Sequence, residues 1–198
     1  AMVLVAVIFV LGAFGIITSE WLSTFLIQIV VMFALPILLY SLFTKTKIKD
    51  TFKTFGIKKV SPAIIGFSIL LGIVLYFINS FVATVSQSFI ALLGYETVST
   101  DTTTVQFSYA LLLKEFLLSA ILPGICEEVL HRGLMLHAGK KQKNPHYCLI
   151  ISSLLFGLMH LNINQFFYAA ILGCFMGYVT LVADSIIPSM IIHFMNNA

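Results

Sequence analysis

Residues 62–93, PAIIGFSILLGIVLYFINSFVATVSQSFIALL, contain 32 residues and no Asp, Glu, Lys or Arg. A helix that crosses the hydrocarbon core of a bilayer needs about 20 predominantly apolar residues. A second charge-free run, residues 21–43, contains 23 residues. Both runs are therefore predicted to be membrane-spanning helices.

The composition of the whole chain agrees with a membrane protein. Of its 198 residues, 60% are hydrophobic and 10% are charged, whereas an ordinary soluble domain has about 25% charged residues. So few charges cannot cover a water-facing surface, which argues against a soluble globule, a disordered chain and a nucleic-acid-binding domain. The length fits one domain, residues 1–198, and the three cysteines lie in apolar stretches without the spacing of a disulfide framework.

Five further apolar segments are predicted to be helical: 2–17, 107–126, 147–161, 166–182 and 186–198. The first has no basic region before it and no small-residue cleavage site, which favours a span over a signal peptide. The predicted fold class is all-α, a polytopic bundle of about seven transmembrane helices.

The basic residues predict the orientation of the bundle. Nine lysines fall in two loops, 45–59 and 140–143, which we call the lysine loops. Short loops rich in Lys and Arg stay in the cytoplasm, and seven spans with a cytoplasmic N-terminus put both lysine loops there. The opposite loops contain acidic residues and no Lys or Arg. The single arginine beside ten lysines hints at a bacterial cell membrane.

Three polar clusters interrupt the apolar segments, and ionisable residues inside membrane spans mark functional sites by default. In the first, Glu128 and Arg132 lie four residues apart on one helix face, in the order that favours an ion pair. Glu127 points about 100° away around the helix and is left free to act. Pro123 and Gly124, one turn earlier, predict a kink and a cavity beside Glu127.

The other two clusters contain His160, and His193 with Asn197 on one helix face. The midpoint between Glu127 and His160 falls in the polar turn 139–145, so an antiparallel hairpin brings the two side chains to similar depth. A single histidine in a span is more often a helix–helix hydrogen-bonding residue than a catalyst. Four polar insertions that can converge favour a site, because each of them costs free energy in lipid.

The depths of the two histidines predict the shape of the turns. At 1.5 Å per residue, His160 lies about 25 Å from the 139–145 turn, whereas His193 lies about 14 Å from the turn near Asp184. The two histidines must lie at one depth to share a site. The 139–145 turn is therefore expected to protrude into the cytoplasm, with the Asp184 turn near the membrane surface. Three residues after His160 are expected to line a water-filled cavity: Asn162, Asn164 and Gln165.

Together the clusters resemble a known signature. The series Glu127-Glu128-x-x-x-Arg132, Phe156-x-x-x-His160 and His193-x-x-x-Asn197 resembles the three motifs of the CPBP intramembrane proteases. This family contains the CAAX prenyl protease 2 (Ras-converting enzyme) type and bacterial bacteriocin-immunity proteins, and the resemblance covers residues 118–197. It implies an all-helical membrane protease whose site opens to the cytoplasm, with four active-site residues: Glu127, His160, His193 and Asn197.

These residues suit peptide hydrolysis, which needs an activated water, a stabilised oxyanion and a proton for the leaving amine. Glu127 is predicted to act as general base, and His160 to hold the same water and shuttle the proton. His193 and Asn197 are predicted to donate hydrogen bonds to the oxyanion, while Glu128 and Arg132 give structural support. This mechanism requires no cofactor. The expected partners are membrane lipid and a peptide or protein substrate, with or without a lipid anchor, and not nucleic acid.

A zinc metalloprotease is the closest alternative, with Glu127, His160 and His193 as ligands and an open position for water. Against it, the HExxH motif is absent, and the base role would pass to Glu128, which already faces Arg132. A transporter or proton pathway would also use membrane Glu and His residues, but it predicts paired broken helices in two halves, and the sequence has no such repeat. A non-proteolytic scaffold or immunity protein would tolerate the loss of Glu127.

Overall fold

The computed structural model describes residues 19–95, 107–141 and 144–198. Over these residues the chain forms helices and turns, and the predicted all-α class is confirmed. The predicted first span, residues 2–17, lies outside the described residues, as do residues 96–106 of the acidic loop.

Seven helices follow one another in the described residues. They are α1 (Trp21–Thr44), α2 (Ile48–Thr54), α3 (Pro62–Leu92), α4 (Tyr109–Ala138), α5 (Pro145–Met159), α6 (Ile163–Ala183) and α7 (Ile187–Asn197). Four of these helices, α1, α3, α4 and α6, are long and apolar enough to cross a membrane. Large apolar side chains of α3 point outward, with Phe77 67% and Phe81 70% exposed, as contact with lipid requires.

Two helices differ from the predicted spans. Helix α4 continues to Ala138, well past the predicted end at residue 126, because its charged residues are paired inside the bundle and do not break the helix. Helix α2 was not predicted. It lies inside the first lysine loop and packs through the buried Thr51 and the adjacent Phe55.

Helix α7 packs among α3, α4 and α6. A Cβ atom at Gly72 would lie 2.6 Å from Cβ of Met195, and one at Gly124 would lie 3.2 Å from the backbone nitrogen of Phe194. Glycine at these positions therefore lets α3 and α4 approach α7 closely. Gly124 serves this packing, and the predicted cavity beside Glu127 is present, with Pro123 and Glu127 in its wall.

The lysine loops meet at one end of the bundle. Lys58 and Lys140, one from each loop, both pair with Asp184 in the α6–α7 turn, and His137 Nε2 lies 3.0 Å from the same carboxylate. Hydrogen bonds from Lys140 and Lys58 hold the pKa of Asp184 well below its usual range. Because His137 and Lys140 reach Asp184, the turn after α4 starts level with it, while residues 142–143 of the turn predicted to protrude lie outside the described residues.

Candidate active site

Glu128 forms the buried centre of the site. Its Oε1 accepts hydrogen bonds from Arg132 Nη1 at 2.7 Å and from His193 Nδ1 at 2.9 Å. The Glu128 and Arg132 side chains have 0% exposure, and their predicted ion pair is confirmed. The contact with His193 was not predicted, since the spacing along the helix offered only Arg132 as a partner. One carboxylate thus joins α4 to α7.

Arg132 is held from three sides. Besides Glu128, its Nη2 donates to the carbonyl oxygen of Gly173 at 3.0 Å, and its guanidinium carbon lies 4.5 Å from the centroid of the Phe156 ring. The cation–π contact and the charge-assisted hydrogen bond to Glu128 offset part of the cost of burying this charge, although Arg132 Nε and Glu128 Oε2 are buried without a hydrogen-bond partner. Arg132 therefore connects α4 with α5 and α6 beneath the site.

The contact with Glu128 determines the tautomer of His193. Its Nδ1 faces a carboxylate and must donate, so Nε2 is an acceptor in the neutral ring and a donor only in the imidazolium form. His193 is buried at 3% exposure and lines the cavity described below. To donate from Nε2 to an oxyanion, His193 would have to be in the imidazolium form, beside a Glu128 carboxylate that Arg132 also contacts.

His160 is held in a similar way at the end of α5. Its Nδ1 lies 2.9 Å from the carbonyl oxygen of Phe156, which can only accept, so the ring donates from Nδ1 and keeps Nε2 as an acceptor. The centroid of the Phe156 ring lies 5.2 Å from that of His160 and 5.4 Å from that of His193. One aromatic ring therefore lies between the two imidazoles.

Glu127 has a partner that the sequence interpretation missed. Gln28 Nε2 of α1 donates to Glu127 Oε1 at 2.7 Å, and Gln28 is 6% exposed. Both residues lie beside wider, π-helical turns, Ile27–Ala34 in α1 and Val129–Ala138 in α4, of the kind often found at functional sites. The sequence offered one sign of this contact: Gln28 is the single amide residue in the charge-free run 21–43.

Asn197 closes the site at the end of α7. Its Nδ2 donates to the carbonyl oxygen of Ser119 at 3.0 Å, which ties α7 to the π-helical stretch Phe116–Ile121 of α4. This stretch directly precedes Leu122–Glu128, where Pro123 removes a backbone donor, so π-helical turns lie next to the position at which a kink was predicted. The second amide hydrogen of Asn197 is left for another acceptor.

A cavity of about 510 Å³ brings these residues together. Its walls include the four side chains predicted for the site, Glu127, His160, His193 and Asn197. Further lining residues come mainly from α3 and α6: Tyr76, Asn79, Ser80, Ala83, Gln87, Pro123, Phe156, Tyr168, Ala169, Leu172 and Asn196. The structure thus gathers all four around one space, while their catalytic roles stay predictions.

Asn162, Asn164 and Gln165 were expected to line this cavity. None of them is among the lining residues in the part of the chain that the structure describes. Asn162 caps α6 instead, with its Oδ1 accepting from the backbone N–H of Asn164 at 2.9 Å. Its side chain also faces a separate, mostly apolar groove beside Leu158 and Phe166. The cap explains why a polar residue stands at this turn.

A zinc site does not fit the described residues. Among residues 19–95, 107–141 and 144–198, no three His, Cys, Asp or Glu side chains come together in a group able to hold a metal ion. Glu127, His160 and His193 border the same cavity without forming the close three-ligand set that catalytic zinc requires.

Comparison with known families gives a match over the part of the chain that carries the site. Residues 109–198 match the family described as Type II CAAX prenyl endopeptidase Rce1-like. The matched segment begins at the start of α4 and includes all four predicted active-site residues. Searches of curated proteins and of solved structures give no match.

Proposed function

We propose that this chain, whose residues 109–198 match the Rce1-like family, is an intramembrane endopeptidase of the CAAX protease type. The family is one of peptide hydrolases, and the apolar helices make the chain an integral membrane protein. The proposal is that it hydrolyses a peptide bond with a water activated by Glu127 and His160. One observation carries this proposal: Glu127 and both histidines border one cavity, with each histidine tied at Nδ1.

The water would be activated by two acceptors. Glu127 keeps one carboxylate oxygen outside its contact with Gln28, and His160 presents Nε2. As the water oxygen bonds to the carbonyl carbon, its proton passes to Glu127 or His160. Both groups are held by other hydrogen bonds, so little reorganisation is needed during the reaction.

The oxyanion would be stabilised on the other side of the cavity. Asn197 offers its second amide hydrogen, and His193 offers Nε2–H as an imidazolium beside Glu128. When the carbon–nitrogen bond breaks, the proton taken from water is returned to the leaving amine, which balances the reaction. No nucleophilic side chain and no cofactor is needed in this sequence of steps.

The membrane placement forms part of the proposal. We expect the lysine loops and the N-terminus on the cytoplasmic side of a bacterial cell membrane, in accordance with the positive-inside rule. The substrate would be a peptide or protein segment at the membrane, with or without a lipid anchor.

Reconstitution in liposomes tests this function. Purified protein is incubated with a panel of lipidated and unlipidated peptides, and the products are identified by mass spectrometry. Wild type should cleave at least one peptide, and His160→Gln should reduce turnover by about 100-fold or more, since general acid–base groups contribute about 10² to 10⁴. The matched control His146→Gln, at the exposed start of α5, should cleave normally. Folded wild type that cleaves no peptide would favour a scaffold or immunity protein.

A further inference from the structure

The cavity has a definite position along α3. This helix begins at Pro62, directly after the first lysine loop, and it contributes Tyr76 through Gln87 to the cavity wall. At 1.5 Å per residue, Tyr76 lies about 21 Å and Gln87 about 37 Å along the helix from Pro62. The α3 wall of the cavity thus lies in the half of the helix away from the lysine loops.

Helices α5, α6 and α7 place the cavity in the same half of the bundle. Helix α5 starts beside the second lysine loop and contributes His160 at its far end, and α7 starts beside Asp184 and contributes Asn197 in its last turn. Helix α6 runs in the opposite sense and contributes its first half, through Tyr168 and Leu172. The described lining residues on these helices therefore lie in the half of the bundle away from the lysine loops.

The half of the bundle next to the lysine loops is filled. Met176 and Ile192 have 0% exposure and pack with Phe156 in one apolar cluster. The Glu128–Arg132 pair, also with 0% exposure, lies beside this cluster. This layer separates the cavity from the Asp184 turn, so the described residues leave no wide passage from that end.

We propose that the cavity receives its peptide from the side of the membrane opposite to the lysine loops. The positive-inside rule makes this the extracytoplasmic side, whereas the family resemblance implied a cytoplasmic opening. This inference rests on the proposed function for the identity of the ligand as a peptide. The substrate class is then a segment of an exported or membrane-attached polypeptide.

The α3 wall has the chemistry to hold such a segment. Asn79 and Gln87 present amide groups on one face of the helix, and Tyr76 presents a phenol. Among the described lining residues there is no Lys or Arg, and Glu127 is the only acidic one. Neutral donors and acceptors fit the backbone of an extended peptide better than a charged side chain.

Cysteine labelling of the full chain in intact bacterial cells tests the direction of opening. The probe is a charged, membrane-impermeant maleimide, and wild type with its three native cysteines supplies the background. Gln87→Cys should be labelled in intact cells at least 10-fold above wild type. Lys59→Cys, on the exposed first lysine loop, should be labelled only after the cells are permeabilised.

The reverse pattern, with Lys59→Cys labelled in intact cells and Gln87→Cys protected, would overturn the proposal. Should Gln87→Cys fail to accumulate, Ser80→Cys reports on the same wall with a change of one atom. The labelling does not depend on catalysis, so a protein that cleaves no peptide can still confirm the direction of opening. Conversely, peptide cleavage combined with the reverse labelling pattern would refute the direction and leave the protease function standing.

Discussion

Gln28 Nε2 donates a hydrogen bond of 2.7 Å to Glu127 Oε1, joining α1 to α4 across 99 positions of sequence. Gln28 does not appear among the described cavity-lining residues, so it acts on the site through Glu127. The bond occupies one carboxylate oxygen and leaves the other for water. Gln28 is thus expected to be a positioning residue for the proposed base.

Replacing Gln28 with methionine should lower kcat with little change in KM. Hydrogen bonds to charged groups are worth about 1.5–3 kcal/mol, which corresponds to roughly 10- to 150-fold in rate. Both kcat and KM are measured on the reconstituted enzyme.

Gln165→Met is the matched control, since it removes the same amide outside the described cavity lining. It should leave kcat and KM unchanged. A Gln28→Met protein with lower yield but unchanged kcat would indicate a merely structural role for Gln28.

The Glu128–Arg132 pair should matter mainly for stability. Glu128→Gln leaves the fully buried Arg132 without its counter-charge, at a cost of about 3–5 kcal/mol. Thermal unfolding in detergent should therefore show a markedly lower Tm. Glu115→Gln, an exposed position on the same helix, should change the Tm little. Equal Tm values for the two variants would contradict the inferred burial of this pair.

Zinc content distinguishes the water mechanism from its closest alternative. Because Glu127 and His160 activate water without a metal in the proposed mechanism, active protein should contain no stoichiometric zinc. Prolonged chelation at neutral pH should leave turnover unchanged. Elemental analysis that finds about one tightly held zinc per chain, with activity lost on removal and restored on return, would make the three-ligand zinc site correct.

Asp184→Asn should destabilise the end of the bundle that carries the lysine loops. The carboxylate faces Lys58, Lys140 and His137 and is itself half exposed, so the loss at neutral pH should be roughly 1 kcal/mol or less. The pKa of Asp184 is lowered in the folded state, so its contribution is present above the unfolded value of about 4 and disappears as pH falls below it. Tm values of wild type and variant should therefore differ above about pH 4 and converge as pH falls from there through the lowered pKa of the folded state. A constant difference over this range would exclude the ion pairs as its cause.

Much of the fold could be predicted from runs without charge. Helices α1, α3 and α6 follow the predicted spans because lipid contact excludes charged residues over their whole length. Charge-free runs did not predict the end of α4. This helix continues through Glu128 and Arg132, which neutralise each other and are buried inside the bundle. The family match at residues 109–198 agrees with the resemblance drawn from the three motifs.

The site contacts that could not be predicted are those between helices. The pairing of His193 with Glu128 and of Gln28 with Glu127 depends on how α7 and α1 pack against α4. The spacing of residues within one helix reveals partners three or four positions away, and no others. The contact of Lys140 with Asp184 was missed for the same reason, because it joins the end of α4 to the α6–α7 turn.

The most direct test of the proposed mechanism is the turnover of Glu127→Gln beside wild type in the same liposomes, on a peptide that wild type cleaves. The substitution keeps the size of the side chain and removes the proposed base. The account predicts that cleavage falls to background while the Tm in detergent stays within a few degrees of wild type. Normal cleavage by Glu127→Gln would contradict the assignment of Glu127 as the group that activates water.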